Sequence, residues 1–295
     1  MGTILPNPIP AALILTKETS KTTVLPPVRD PSPTLVLLLG PFDPSGSGDL
    51  PADAVTCAAL GGHALSVATS IHVQDTASIE DIHELSPDLI DDQARCLLED
   101  MNVRAIKAGP IYNTDCARVL AQIAADYSQL PLVLHFGTPP EHDVLAGNDE
   151  PEDVLSAIFE LLLPQTDLVL IEHGLMARWH ADGMLPDDAS GLSPGQVLLQ
   201  YGAQWVLTTG APMRPGQGAY LLQGPENATF NWAWQAPPAR LADVDGPLAC
   251  AATIQLAQGL PMQQAVENAL RQAGPLAAPS FQPGMGHRLI NRSPS

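Results

Sequence analysis

From Thr34 onward the chain alternates short apolar runs with stretches of helical period, and that alternation limits the folds open to it. Thr34-Leu35-Val36-Leu37-Leu38-Leu39-Gly40 is apolar without a period and ends in Gly, as a strand buried on both faces does. Pro41 to Asp49 is a loop rich in Pro, Ser and Gly. A helix is expected over about 50–60, stopped by Gly61-Gly62. A strand around 65–71 follows. Ser86-Pro87 is an N-cap with Pro at the first helical position, and Ile90, Ala94, Leu97 and Met101 supply that helix with a buried face. Runs at 103–108, 132–135, 167–171 and 203–208 read as further strands, with helices around 116–123 and 154–163 between them. Two hairpin-like strands, 219–223 and 229–234, precede helices near 247–258 and 262–272. The expected fold class is α/β, a mostly parallel central sheet with helices on both faces in three layers, α/β/α. Sheets of this kind bind ligands outside the carboxyl ends of their strands, which directs attention to the loops at 40–49, 72–76, 108–113 and 243–246.

Residues 1–33 repeat proline without a sustained period and read as a flexible leader, leaving 34–295 as a single domain. The formal charge is −19, and only Lys17, Lys21 and Lys107 are lysines, so no cationic cluster exists to neutralise a nucleic acid backbone. No apolar run reaches the roughly 20 residues of a membrane helix. Ile9 to Leu15 is too short to span and has no basic residue before it, unlike a signal peptide. Cys57, Cys96, Cys116 and Cys250 show no metal or redox spacing and read as small core residues, which suits a reducing, cytoplasmic setting. The histidines include no His-x-x-x-His pair, and Glu80 with His83 lacks a third ligand. Glu141-His142-Asp143 and the acidic stretch 149–153 read as solvated, Pro215-Gly216-Gln217-Gly218 as a turn. An esterase-type Gly-x-Ser-x-Gly elbow is absent.

Asp43-Pro44-Ser45-Gly46-Ser47-Gly48 follows the first strand, then come Ala52-Asp53, Thr56 and Ala59-Leu60-Gly61-Gly62; further on, Ser66-Val67-Ala68-Thr69 leads to Val73-Gln74-Asp75-Thr76. This stretch resembles the N-terminal third of the hydroxymethylpyrimidine/phosphomethylpyrimidine kinases of thiamine biosynthesis, in the ribokinase-like superfamily. Lys107-Ala108-Gly109, Leu162-Leu163-Pro164-Gln165 and Gly284-Met285-Gly286-His287 extend the resemblance along the chain. It implies a ribokinase-like fold, a small pyrimidine as partner, ATP and Mg2+ as cofactors, and a homodimer as a candidate assembly. It also implies that Asp53 and Gln74 hold the polar edge of the pyrimidine in one shared cavity, with Gly48 allowing backbone to approach the ring.

The family builds its phosphate cradle from Gly-Thr-Gly-Cys at a helix N-terminus. Leu256-Ala257-Gln258-Gly259-Leu260-Pro261 sets the register, and counting back places Asp243-Val244-Asp245-Gly246 over that motif, with Gly246 at the position of the family Cys. Asp245 is either the catalytic base of the wider superfamily, displaced by one residue, or, like Asp243, a cap for the helix beginning near Pro247. The family's Thr-Pro-Asn reads Ile171-Glu172-His173, its Asp-Pro-Val-Met region reads Leu134-His135-Phe136-Gly137, and its Lys-Gly-Gly reads Thr208-Thr209-Gly210, which removes a phosphate-facing cation. Arg214 is a candidate replacement. Three readings follow: an ATP-dependent kinase, a pyrimidine-binding protein that does not transfer phosphate, and a structural subunit with a vestigial pocket.

Overall fold

The computed structural model describes Met1 and residues 32–137, 149–184 and 192–293. The expected leader, apart from its ends, and Glu141-His142-Asp143 lie outside the described residues. From Pro33 on, the chain forms one compact unit.

Nine strands make one sheet: β1 (Thr34–Phe42), β2 (Gly62–Gln74), β3 (Ile79–Glu84), β4 (Ala105–Ala108), β5 (Leu132–His135), β6 (Leu168–Glu172), β7 (Trp205–Arg214), β8 (Gln217–Gln223) and β9 (Thr229–Trp234). Their order is β3-β2-β1-β4-β5-β6-β7-β8-β9. The inner pairs from β2 to β7 are all parallel. The edges are antiparallel, β3 on β2 at one side and β8 with β9 beyond β7 at the other. Strand pleating explains the layering, because successive side chains point to opposite faces. Leu37 and Leu39 join a core with Ile90 and Ala94 of α2 (Pro87–Asp100) and Leu120 and Ile123 of α3 (Thr114–Asp126). The same layer holds α4 (Pro151–Ala157), α5 (His173–Ala181) and α6 (Pro194–Gln200). Val36 and Leu38 pack the other way, against α1 (Asp49–Ala59) and α7 (Gly246–Ala257), with α8 (Met262–Ala277) beyond. Every residue of α7 is buried, as expected of a helix apolar all round.

Two expectations need correction. Cys96 is exposed, so it is not a core residue. Met101 is 36% exposed and lies just past the end of α2, outside the buried face of Ile90 and Ala94. The sequence reading also passed over β3, α5 and α6. No described helix is long and apolar enough to cross a membrane.

After α8 the chain forms a short antiparallel pair, β10 (Ser280–Phe281) and β11 (Leu289–Ile290), and runs back across the top of the sheet. The His287 amide donates to the Thr76 carbonyl at 2.6 Å, and the Arg288 amide to that of Arg240 at 2.7 Å. This C-terminal strap therefore joins the turn after β2 to the segment before α7.

Candidate active site

The carboxyl ends of β1 and β2 and the starts of α1 and α7 form one polar cluster. Its first part is the loop between β1 and α1. Asp43 is fully buried and accepts the amides of Ser45, Ser47 and Gly48 at 2.8, 2.9 and 3.0 Å, plus the Ser47 hydroxyl at 2.6 Å. A short Pro/Gly/Ser loop has no ladder for its backbone donors, and this one carboxylate supplies their acceptors.

Gln74, at the end of β2, is tied into the same loop. Its Nε2 donates to Ser47 Oγ at 3.4 Å, and its Oε1 lies 3.0 Å from His72 Nδ1. Because Oε1 only accepts, His72 carries its proton on Nδ1, and Nε2 accepts from Ser70 Oγ at 3.4 Å. Burial holds the His72 pKa below the usual imidazole value, in keeping with a neutral ring. Donation thus runs one way, from Ser70 through His72, Gln74 and Ser47 to Asp43. Such a chain fixes which end of the Gln74 amide is oxygen and leaves one N–H and one lone pair for a ligand.

Asp53 is not presented as the resemblance implies. It is buried in α1, its Oδ2 bonded to Lys107 Nζ at 2.6 Å and its Oδ1 approached by Cys250 Sγ at 3.0 Å. Lys107 is itself 2% exposed. One oxygen is thus committed to a buried ion pair with β4 and the other to the Cys250 thiol of α7, which together tie α1 to both elements. Gly48 does permit a close approach, and its neighbour is Asp243: a side chain at Gly48 would begin 3.3 Å from Asp243 Cβ.

The two aspartates before α7 face different halves of the site. Asp243 holds φ at +50° and takes the Arg292 Nη2 at 2.5 Å. Its carboxylate lies over the Cα of Gly246, where any added Cβ would collide with it. Burial raises the Asp243 pKa to about 7, with Arg292 opposing and Asp53 adding to the rise. Asp245 occupies the N-cap position, but its side chain makes no capping hydrogen bond and instead accepts from Thr209 Oγ1 at 2.7 Å. Burial raises its pKa to about 6, the Thr209 hydroxyl opposing and Glu172 at the end of β6 contributing. Gly246 is the first residue of α7 and buried. Arg214 ends β7, at the turn into β8. His135, at the end of β5, is held neutral by burial, with Lys107 acting in the same direction.

The sequence of the phosphomethylpyrimidine kinase family matches residues 43–291, from the Asp43 loop through the C-terminal strap as far as Asn291. The chain belongs to that family. It is 27% identical over 270 residues to a hydroxymethylpyrimidine/phosphomethylpyrimidine kinase of Mycobacterium tuberculosis, covering 88% of this chain and 94% of that one. The corresponding Streptomyces coelicolor protein is 26% identical over 249 residues, 84% and 87% of the two chains. Among solved structures, a phosphomethylpyrimidine kinase of Clostridium difficile superposes with a TM-score of 0.64 at 21% identity, covering 82% of this chain and 99% of that one. The Bacillus subtilis pyridoxal kinase, solved as an ADP complex, gives 0.73 at 18% identity, covering 88% and 98%. The fold is therefore ribokinase-like. Of the site, sequence reasoning quoted Asp43 and Ser47 without giving them a role and passed over Asp49, His72 and Arg292. Asp49 opens α1, His72 lies two residues before the end of β2 and Arg292 two after β11, so their common signal was only a polar residue near the end of an element, which alone is too weak to select them.

Proposed function

We propose that the chain is an ATP-dependent phosphotransferase whose acceptor is a hydroxymethyl-bearing pyrimidine, the class of substrate that names its relatives. The observation that carries this reading is the one-way chain of hydrogen bonds ending on Asp43. It presents Gln74 as a fixed donor–acceptor pair, the complement of a ring nitrogen beside an exocyclic amine. Gln74 then orients the ring, and Ser47 and His72 hold Gln74. Asp245 is the base for the acceptor hydroxyl: a carboxylate with a pKa of about 6 is ionised at neutral pH yet basic enough to share a proton. ATP supplies the phosphoryl group. Among the described residues no three His, Cys, Asp or Glu gather as a metal site, so magnesium is expected to arrive on the nucleotide phosphates, with Asp245 and Glu172 as the carboxylates on that side.

A second reading, a pyrimidine-binding protein without transfer, draws on Asp243, whose carboxylate covers Gly246 where phosphate would approach. A steady-state assay with hydroxymethylpyrimidine, ATP and magnesium separates the two. Turnover of about 1 s⁻¹ or more, lost by about a hundredfold in Asp245→Asn, supports the kinase. Calorimetric binding of the pyrimidine without turnover supports the second reading, and absence of both rejects the pyrimidine site.

A further inference from the structure

Arg292 stands where the two halves of the site meet. Its Nε donates to Thr56 Oγ1 at 3.2 Å and its Nη1 to the Ser47 carbonyl at 3.4 Å, while Nη2 takes the Asp243 carboxylate at 2.5 Å. Its side chain is only 10% exposed. Two of these contacts are long and neutral; the third alone is short and charged. Among the described residues, the cations acting on Asp243 are Arg292 and Lys107. Lys107 is fixed between Asp53 and the body of the sheet, so Arg292 is the one whose charged partner is able to change.

That partner is poorly accommodated. Asp243 adopts a left-handed backbone conformation unusual for a non-glycine residue, and its carboxylate is buried over Gly246 with Asp53 and Asp245 both repelling it. A carboxylate held against repulsion by one guanidinium is readily exchanged for a better anion.

We infer that Arg292 is the phosphate-facing cation of this chain and that Asp243 is its placeholder: an arriving phosphoryl group takes the guanidinium, and the carboxylate turns off Gly246. The strap brings Arg292 to the site, and its pairing with Asp243 keeps the guanidinium aligned until then. The inference rests on reading the cleft as a phosphoryl-transfer site, but its test does not require turnover.

Inorganic pyrophosphate serves as the probe, titrated calorimetrically into the full-length chain. Asp243→Asn, nearly isosteric, is expected to bind it at least about tenfold more tightly than the unaltered chain, since the competing charge is gone. Adding Arg292→Gln to Asp243→Asn is expected to abolish that gain, and adding Arg292→Lys to keep part of it. Should the glutamine variant fail to fold, the lysine variant carries the comparison. An Asp243→Asn chain that binds pyrophosphate no better than its parent, or a double variant that keeps the full gain without a cation at 292, overturns the inference. A parallel titration with hydroxymethylpyrimidine reports on the substrate reading alone, so loss of pyrimidine binding with an intact pyrophosphate cycle condemns that reading and leaves Arg292 standing.

Discussion

Asp49 holds φ at +54°, in the left-handed region that non-glycine residues avoid, and its carboxyl lies in the field of Asp43, Asp53 and Asp243. Burial and then those neighbours push its pKa well above the usual carboxylate value, with Lys107 opposing. A carboxyl whose folded pKa is raised binds its proton more tightly when folded. Stability is then fully present below the unfolded pKa and is lost as pH rises through the folded one. Asn tolerates the same backbone and carries no charge, so Asp49→Asn is expected to raise the melting temperature at pH 8 and to lose that advantage near pH 4. Equal gains at both pH values, read by thermal denaturation, contradict the electrostatic account. Lys107 and Asp53 make the opposite case. Their side chains are 2% and 5% exposed, and removing one partner leaves an unpaired charge in the core. Lys107→Met is expected to cost about 3–5 kcal/mol, while Lys107→Met with Asp53→Leu costs less. Denaturant midpoints measure both, and a double variant worse than the single one removes the ion pair from the argument.

The C-terminal strap depends on one close approach. A Cβ at Gly286 would lie 2.0 Å from the Thr76 carbonyl oxygen, and rigid backbone on both sides leaves little room to yield. Gly286→Ala is therefore expected to lift the strap from the turn after β2, exposing 286–292 to proteolysis and raising the pyrimidine KM through Gln74, two residues from Thr76. Unchanged cleavage and KM would separate the strap from the site. Long apolar or periodic elements were legible in the sequence: β1, α1, α2 with its Ser86 cap, and α7 all fall within a few residues of expectation. What escaped was short or mixed. β3, Ile79–Glu84, is a half-exposed edge strand held by its pairing with β2 and has little apolar pattern of its own. α5 and α6 are brief, although Ser193 and Gln196 form a capping box that could have revealed α6. In the site, the Asp43 loop and Gln74 stood out because they lie on a local motif, although the part Asp43 plays in holding that loop did not. The Lys107–Asp53 and Arg292–Asp243 pairs were not, because only the sheet order and the returning strap bring such distant positions together.

At the scale of the whole molecule, a formal charge of −19 surrounds a site proposed to receive a polyanion. Within the cleft, Lys107 is paired with Asp53 and Arg292 with Asp243, so neither of these two cations presents an unpaired charge to offset the surrounding acid. At about 10 mM ionic strength the screening length is roughly 30 Å, and most of the surface repels an approaching nucleotide; at about 100 mM it contracts to roughly 10 Å, and only the immediate rim is felt. The chain should then behave opposite to a protein that draws anions with a basic patch. The KM for magnesium ATP is expected to fall several-fold as salt rises across that range, through faster association. Hydroxymethylpyrimidine carries no net charge and is the internal control, its KM moving little. Stopped-flow association rates at the two salt concentrations test the same point directly. An ATP KM that rises with salt would mean that Arg292 and its neighbours already present net positive charge to the entering phosphates, and the pairing of Arg292 with Asp243 would then be too weak to mask it.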